Sequence, residues 1–245
     1  MDKIGSPSEV YTIEVKRLTK SFGTHLALRG IDVAVKQGES VVIFGPNGAG
    51  KTTLIKLLAT IMNPSSGEIF INGFNLKKNA EQARRSIGVI THQTFLYSNL
   101  TAYENLQFYS KMYDVPDTKE RIYQVATMVE MVSRLHDRTG TFSRGMQQRL
   151  SIARALLHNP AILLLDEPET GLDQQAISIL RVALQMEENE KRTIILTTHS
   201  LERGLELCNR LLILNHGRIV YENSTKTLDL ASLTEIYHQN TKAKV

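Results

Sequence analysis

The run Gly45-Pro46-Asn47-Gly48-Ala49-Gly50-Lys51-Thr52 has the residue types and spacing of a polyphosphate site. Its glycines let the backbone curl so that successive N–H groups face an anion that side chains would obstruct. The lysine supplies a cation for the β- and γ-phosphates, and the threonine hydroxyl a ligand for Mg2+. The pattern G-x-x-x-x-G-K-[ST] carries this meaning only between a strand and a helix. Here the apolar VVIF precedes it and LIKLLATI follows, with a helix expected from Thr52.

A metal held against phosphate needs a carboxylate, and an attacking water needs a base. The run Ile162-Leu163-Leu164-Leu165-Asp166-Glu167 offers both at the end of an apolar strand, where open α/β sheets place ligands. Asp166 is the expected Mg2+ partner, directly or through water, and Glu167 the expected general base. A third stretch, TFSRGMQQR from Thr141 to Arg149, has a serine and a glycine opening a helix and no acidic residue. The free N–H groups and positive dipole end of such a helix suit a second anion.

These groups need a scaffold, and the pattern around them is α/β. YTIEVKRL and GIDVAVKQGESVVIF read as short strands, with alternation at Ile31, Val33 and Val35. PSSG marks a turn before a further strand in EIFING, and AILLLDEP, RTIILTTH and RLLILNHGRIVYE supply more. From about Gln93 to Gly145 helical signals take over, with capping-box patterns at Thr101 to Glu104 and Asp117 to Glu120. The expected organisation is a loose segment 1–10, an α/β domain over 11–222 with a helical insertion at about 94–156, and a short tail over 223–245 with a helix and a basic end.

Bulk properties narrow the setting. A chain of 245 residues is long enough for a substantial core, whether as one large domain or two small ones. The net charge of +4 is scattered rather than striped, so no nucleic-acid partner is expected. The single cysteine, Cys208, lies in LERGLELCNRLLIL and reads as a buried structural thiol. No apolar run approaches the roughly 18 residues of a membrane span. The polar MDKIGSPSEV shows no signal-peptide core and points to the cytoplasm.

Taken in order, GPNGAGKTT, the glutamine of ITHQ, FSRGMQQR followed by LSIARAL, LLLDEP, ETGLD and TTHS resemble the ATP-binding cassette ATPases over about Tyr11 to Glu222. The resemblance implies a P-loop nucleoside triphosphatase of α/β class, with a RecA-like core, an N-terminal antiparallel β subdomain and an inserted helical subdomain. It implies ATP hydrolysis with Mg2+, nucleotide held by Gly45 through Lys51, Thr52 and Thr53, and head-to-tail pairing of two cassettes. The second anion site would then cover the partner's ATP, through the Ser143 hydroxyl and the Gly145 N–H. Where the common family form is LSGGQ this chain has FSRGM: Arg144 could face the phosphates or solvent, and Met146 replaces a hydrogen-bonding glutamine.

The same resemblance gives Phe22 an adenine-stacking role, Gln93 a Mg2+ contact and a link to the helical insertion, Asp173 a place across the dimer interface, and His199 a contact to the γ-phosphate. It implies integral membrane permease subunits as partners, a second cassette, expected to be another copy, and a place on the cytoplasmic face of the inner membrane. His92-Gln93 followed by LTAYENLQFY resembles the haem-exporter cassettes of cytochrome c maturation, the CcmA group. That makes a haem exporter of this type the first expectation; SRGMQQR and the overall length also suit cassettes of drug, polysaccharide or lipid exporters, the alternative reading. A soluble cassette ATPase acting outside transport is the third reading.

Overall fold

The chain opens its described structure with a long hairpin, β1 (Tyr11–Phe22) and β2 (His25–Lys36), closed by a tight turn in which Gly23 takes φ 57°. The computed structural model describes residues 11–169, 174–185 and 192–242. Alternating Ile13, Val15, Ile31, Val33 and Val35 put one face of this hairpin into the core, as a half-buried sheet requires.

β3 (Ser40–Phe44) follows and feeds the glycine loop and α1 (Lys51–Leu58), whose first helical residue is one earlier than the sequence pattern gave. The turn and strand read from PSSG and EIFING form β4 (Ser66–Ile71), joined by the two-residue β5 (Phe74–Asn75). These strands complete an antiparallel four-stranded sheet in the order β2-β1-β4-β5. A short α2 (Ala80–Arg85) then leads into β6 (Ile87–Ile90), a strand that the sequence pattern did not mark.

The expected helical stretch contains α3 (Ala102–Met112), α4 (Thr118–Met128) and α5 (Arg144–Leu156). The capping box on α3 is present, with the Thr101 side chain accepting from the Glu104 N–H and the Glu104 carboxylate accepting from the Thr101 N–H at 2.8 Å. The second one is not. Asp117 adopts φ 45°, ψ 43°, a left-handed conformation rather than the extended one of a capping residue, and its side chain makes no cap bond. Its carbonyl accepts the first-turn bond from Arg121 instead.

β7 (Ile162–Asp166), α6 (Gln174–Gln185), β8 (Thr193–Thr197), α7 (Leu201–Leu207), β9 (Arg210–Asn215), β10 (Arg218–Ser224) and α8 (Leu230–Thr241) finish the chain. The second sheet has six strands in the order β10-β9-β3-β8-β7-β6, with β9, β3, β8, β7 and β6 parallel and β10 antiparallel at one edge. The boundary expected after Glu222 falls inside β10, and Leu233 of α8 is fully buried, so the tail packs as part of the domain.

Period-two alternation divides the core over the two faces of this sheet. Val41, Ile43, Ile162, Leu164 and Ile195 pack with α1 and the hairpin sheet. Val42, Phe44, Leu163, Leu165 and Leu196 pack with the helical insertion. Covering both faces is what a parallel sheet demands, and each fully buried leucine of β7 contributes on the order of 2 kcal/mol. The carboxyl ends of β3, β7 and β8 are thereby fixed side by side.

Candidate nucleotide site

The glycine loop bridges β3 and α1, and its three glycines meet different demands. Gly45 (φ 154°) lies so close to β9 that a Cβ would sit 2.1 Å from the Leu214 carbonyl oxygen. Gly50 (φ 109°) packs on β2, where a Cβ would meet the Leu28 side chain at 2.7 Å and the Ala27 carbonyl oxygen at 2.8 Å. Gly48 (φ 78°) faces open space, so only its backbone conformation calls for glycine within the chain. Pro46 and Ala49 close the turn through an Ala49 N–H to Pro46 carbonyl bond of 3.1 Å, and Asn47 is exposed at its tip.

Lys51 is buried, and its Nζ donates to the carbonyls of Gly45 at 2.7 Å and Pro46 at 3.2 Å. Burial lowers its pKa, opposed by the nearby negative charges of Glu167 and Asp166. Together with Phe22, His25 and Glu167, the loop residues Asn47 to Thr53 line a cleft of about 260 Å³. The Phe22 ring is 48% exposed at the rim, with Lys20 Nζ 5.2 Å from its centroid, so it is not a core aromatic. The ring thus faces solvent on the cleft lining, beside the glycine loop.

The two acids at the end of β7 are treated differently. Asp166 is buried, and its Oδ1 accepts from Thr197 Oγ1 at 2.7 Å and from Thr52 Oγ1 at 3.1 Å. Glu167 turns away, in a left-handed conformation (φ 48°) that costs a non-glycine residue about 1 kcal/mol. Its N–H donates to both the carbonyl and the hydroxyl of Thr197, each at 3.1 Å, which holds the turn. The carboxylate is then left half-exposed, with Oε1 2.7 Å from His199 Nε2.

Thr197 is the residue that the sequence reading left unassigned. It is fully buried, bonds Asp166, and anchors Glu167. Its signal was its place in TTHS, two residues before His199, on a strand paired with β7 in the register Asp166↔Thr197.

Gln93 lies just beyond β6, beside the end of β7, with an exposed side chain outside the cleft lining. Its backbone is gripped on both sides by Thr91, whose Oγ1 donates to the Gln93 carbonyl at 2.9 Å and accepts from the Gln93 N–H at 3.1 Å. The segment expected to hold a second anion stands at the start of α5. Ser143 is its N-cap, with Oγ accepting from the Met146 N–H at 3.3 Å, and no residue of 143–146 lines the cleft. Ser143 and Arg144 are exposed, and Gly145 and Met146 half-buried. Asp173 lies outside the described residues. Cys208 is buried, and its thiol pKa is pushed up to about 12, which makes it a packing residue.

A phosphate loop on a parallel sheet, a hydroxyl and a carboxylate that meet below it, and a glutamate held on a histidine together define a P-loop nucleotide-hydrolysing domain. The ABC transporter family model matches residues 28–170, and the chain belongs to that family.

Among its relatives, the chain is 37% identical to the ABC transporter ATP-binding protein NatA of Bacillus subtilis, over 82% of this chain and 83% of that protein. It is 36% identical to the linearmycin resistance ATP-binding protein LnrL of the same organism, over 90% of this chain and 71% of that protein. A Nod factor export ATP-binding protein I from a Rhizobium species is also 36% identical, over 88% of this chain and 72% of that protein. A solved ATP-binding subunit of an ABC transporter superimposes with a TM-score of 0.86 at 32% identity, covering 94% of this chain and 100% of that one. An ATP-binding cassette captured as a dimer in a post-hydrolysis state with ADP and Pi gives a TM-score of 0.78 at 27% identity, over 87% of this chain and 98% of that one. The chain is thus an ATP-binding, ATP-hydrolysing subunit of an ABC transporter. Among the described residues no helix is long and apolar enough to cross a membrane.

Proposed function

We propose that two copies of this chain close head to tail around two ATP molecules and drive a membrane permease that exports its cargo. The observation that carries this reading is the cluster of Thr52, Asp166, Thr197, Glu167 and His199 beside the glycine loop, with Ser143 standing apart from it. One chain thus offers a catalytic half-site and a separate anion-binding helix start, and each needs the other's complement from a second cassette.

In this reading Gly45 to Gly50 cradle the phosphates with backbone N–H groups, Lys51 leaves its loop carbonyls for the β- and γ-phosphates, Thr53 supports the α-phosphate side, and Phe22 stacks on adenine. Thr52, Asp166 and Gln93 form an all-oxygen donor set that suits a hard cation, and the 3.1 Å meeting of Thr52 and Asp166 brings two of its members together. Mg2+ held there would neutralise charge on the β- and γ-phosphates. Glu167 takes the proton of the attacking water, while His199 orients that carboxylate and reaches the γ-phosphate. Ser143 and Gly145 cover the partner's γ-phosphate, flanked by Arg144 and Met146, with Asp173 at the interface between the copies.

ATP binding favours the closed pair, hydrolysis removes the group that both half-sites grip, and reopening is the mechanical output. The permease would hold this chain at the cytoplasmic face of the membrane. For the cargo, the relatives named for a function are called resistance and export proteins. They favour an exporter of the drug, polysaccharide or lipid kind. The haem-export assignment drawn from His92-Gln93 finds no support in them.

The test is Glu167→Gln with light scattering. The variant should form an ATP-dependent dimer and release phosphate at a rate reduced at least about 100-fold, the scale of a lost general base. A monomer at saturating ATP, or turnover at the parent rate, would reject the reading.

A further inference from the structure

β6 is the last strand of the six-stranded sheet, so one row of its carbonyls faces away from β7. The Ser86 carbonyl accepts from the Ile162 N–H at 2.9 Å, which sets the inward row on even residues and turns Ile87, Val89 and Thr91 outward. All three outward carbonyls meet side chains carried by α5 and the residues just after it. Gln148 Nε2 donates to the Thr91 carbonyl at 3.2 Å, Arg154 Nη2 donates to that of Val89 at 2.7 Å, and His158 Nε2 lies 3.1 Å from that of Ile87.

The dimensions fit an antiparallel match: the ten residue steps from 148 to 158, along α5 and just past its end, rise about 15 Å at helical pitch, and the four steps from 87 to 91, along β6 and one residue beyond, span about 13 Å at strand pitch. Gly88 permits the approach, since a Cβ there would stand 2.5 Å from the Ala155 carbonyl oxygen. The helix serves as a seventh strand, laced to the sheet edge by side chains.

The upper end of this lacing touches both functional segments. Gln148 is buried, five residues from Ser143 on the same helix, and its acceptor Thr91 is the residue that grips the Gln93 backbone on both sides. We propose that Gln148 is a positioning residue that transmits the state of Gln93, at the chain's own nucleotide, to the Ser143 segment that covers the partner's nucleotide. This rests on the two-cassette reading above. A shift of the Gln93 turn moves Thr91, and the buried hydrogen bond passes that displacement to the first turns of α5. Arg154 and His158 hold the far end of the helix, so Gln148 sets its tilt rather than its attachment.

The experiment compares Gln148→Met, which keeps the shape and removes the donor, with its parent, both carrying Glu167→Gln. Three quantities are measured: binding of a fluorescent ATP analogue to the monomer, the ATP concentration that half-closes the dimer, and the melting temperature. The expected result is monomer affinity within twofold of the parent and a half-closure concentration raised about tenfold, the scale of one lost buried hydrogen bond. Thr91→Val, which severs the Gln93 side of the same link, should give the same split and serves if Gln148→Met folds poorly. An unchanged half-closure concentration in both variants, or a monomer affinity that falls by the same factor, overturns the proposal. A parent that never dimerises with ATP overturns the two-cassette reading itself, a result recognisable before any Gln148 variant is made.

Discussion

His199 Nε2 stands 2.7 Å from Glu167 Oε1, so the imidazole after β8 and the carboxylate after β7 form one unit at the mouth of the site. Asp166, one residue earlier, instead accepts from the buried Thr197 hydroxyl and the half-buried Thr52 hydroxyl. Two adjacent acids are thus given different partners by a single left-handed residue, and the proposed roles of ligand for Asp166 and base for Glu167 set what each substitution should do.

Glu167→Gln keeps the side-chain shape and its contact to His199, because an amide oxygen still accepts from Nε2. The fold should be retained, with a melting temperature within about 3 °C of the parent, while kcat falls by about 10²–10⁴. His199→Ala leaves the glutamate in place without its 2.7 Å partner, and kcat should fall by about 10–100-fold with the apparent KM for ATP changed less. Phosphate-release kinetics on both variants check the order; a histidine variant more impaired than the glutamate one would reverse these roles.

The loop glycines give a contrast that nucleotide binding alone would miss. Gly48→Ala meets no neighbour, so it should fold with a loss of about 1–2 kcal/mol from its left-handed backbone. Nucleotide affinity should nevertheless fall at least about tenfold, because the added methyl stands where phosphate must approach. Gly45→Ala drives a methyl to 2.1 Å from a backbone oxygen of the neighbouring strand and should destabilise the whole sheet. Thermal unfolding beside nucleotide titration separates the two. Equal melting temperatures would contradict the packing role of Gly45.

What the sequence disclosed and what it withheld follow from range. The strand-loop-helix setting of Gly45 to Thr52 and the strand-end placement of Asp166, Glu167 and His199 were legible because each is read from its own few neighbours and from the strand that precedes it. The Thr101 box was legible for the same reason, since both of its bonds lie within three residues. Asp117 to Glu120 carries the same kind of pattern and fails, because the left-handed backbone at Asp117, invisible in residue types, leaves its side chain without a cap bond. Strand β6 was missed because four residues are too few to show a period, and its edge is completed by Gln148, Arg154 and His158, which lie 57 to 71 residues away. Thr197 was missed because its importance lies in a neighbouring strand's register.

Thr197→Val tests that last point. The substitution removes a 2.7 Å donor from the buried Asp166 and one of the two acceptors of the Glu167 N–H. Stability should fall by about 1–3 kcal/mol, the cost of leaving a buried polar group short of a partner. The Mg2+ concentration needed for half-maximal ATPase activity should rise as well, because Asp166 is then held by Thr52 alone. Chemical denaturation and a Mg2+ titration check it; an unaltered Mg2+ requirement would detach Asp166 from the metal role.

His158 links the sheet edge to pH. Its ring stacks on Tyr113 with centroids 4.0 Å apart, and Nε2 faces the Ile87 carbonyl, an acceptor, so this nitrogen carries the proton of a neutral ring. Burial, reinforced by the charges of Arg154 and Arg121 and opposed by the bond to Ile87, holds the pKa at about 4 against an ordinary value of 6.5. Between those values the unfolded chain takes up a proton that the folded chain refuses, so this group's contribution is full above about pH 6.5 and declines as the pH falls toward 4. The size is about 2–3 kcal/mol across that window. His158→Phe keeps the stack and cannot titrate; its lost hydrogen bond lowers stability by the same amount at every pH. The drop in unfolding free energy from pH 7 to pH 4.5 should therefore be smaller in the variant by about 2 kcal/mol, with the carboxylates common to both proteins cancelling. Equal drops in the two proteins would mean that the ring is solvated and charged in the fold, and that the far end of the α5 lacing is looser than its geometry indicates.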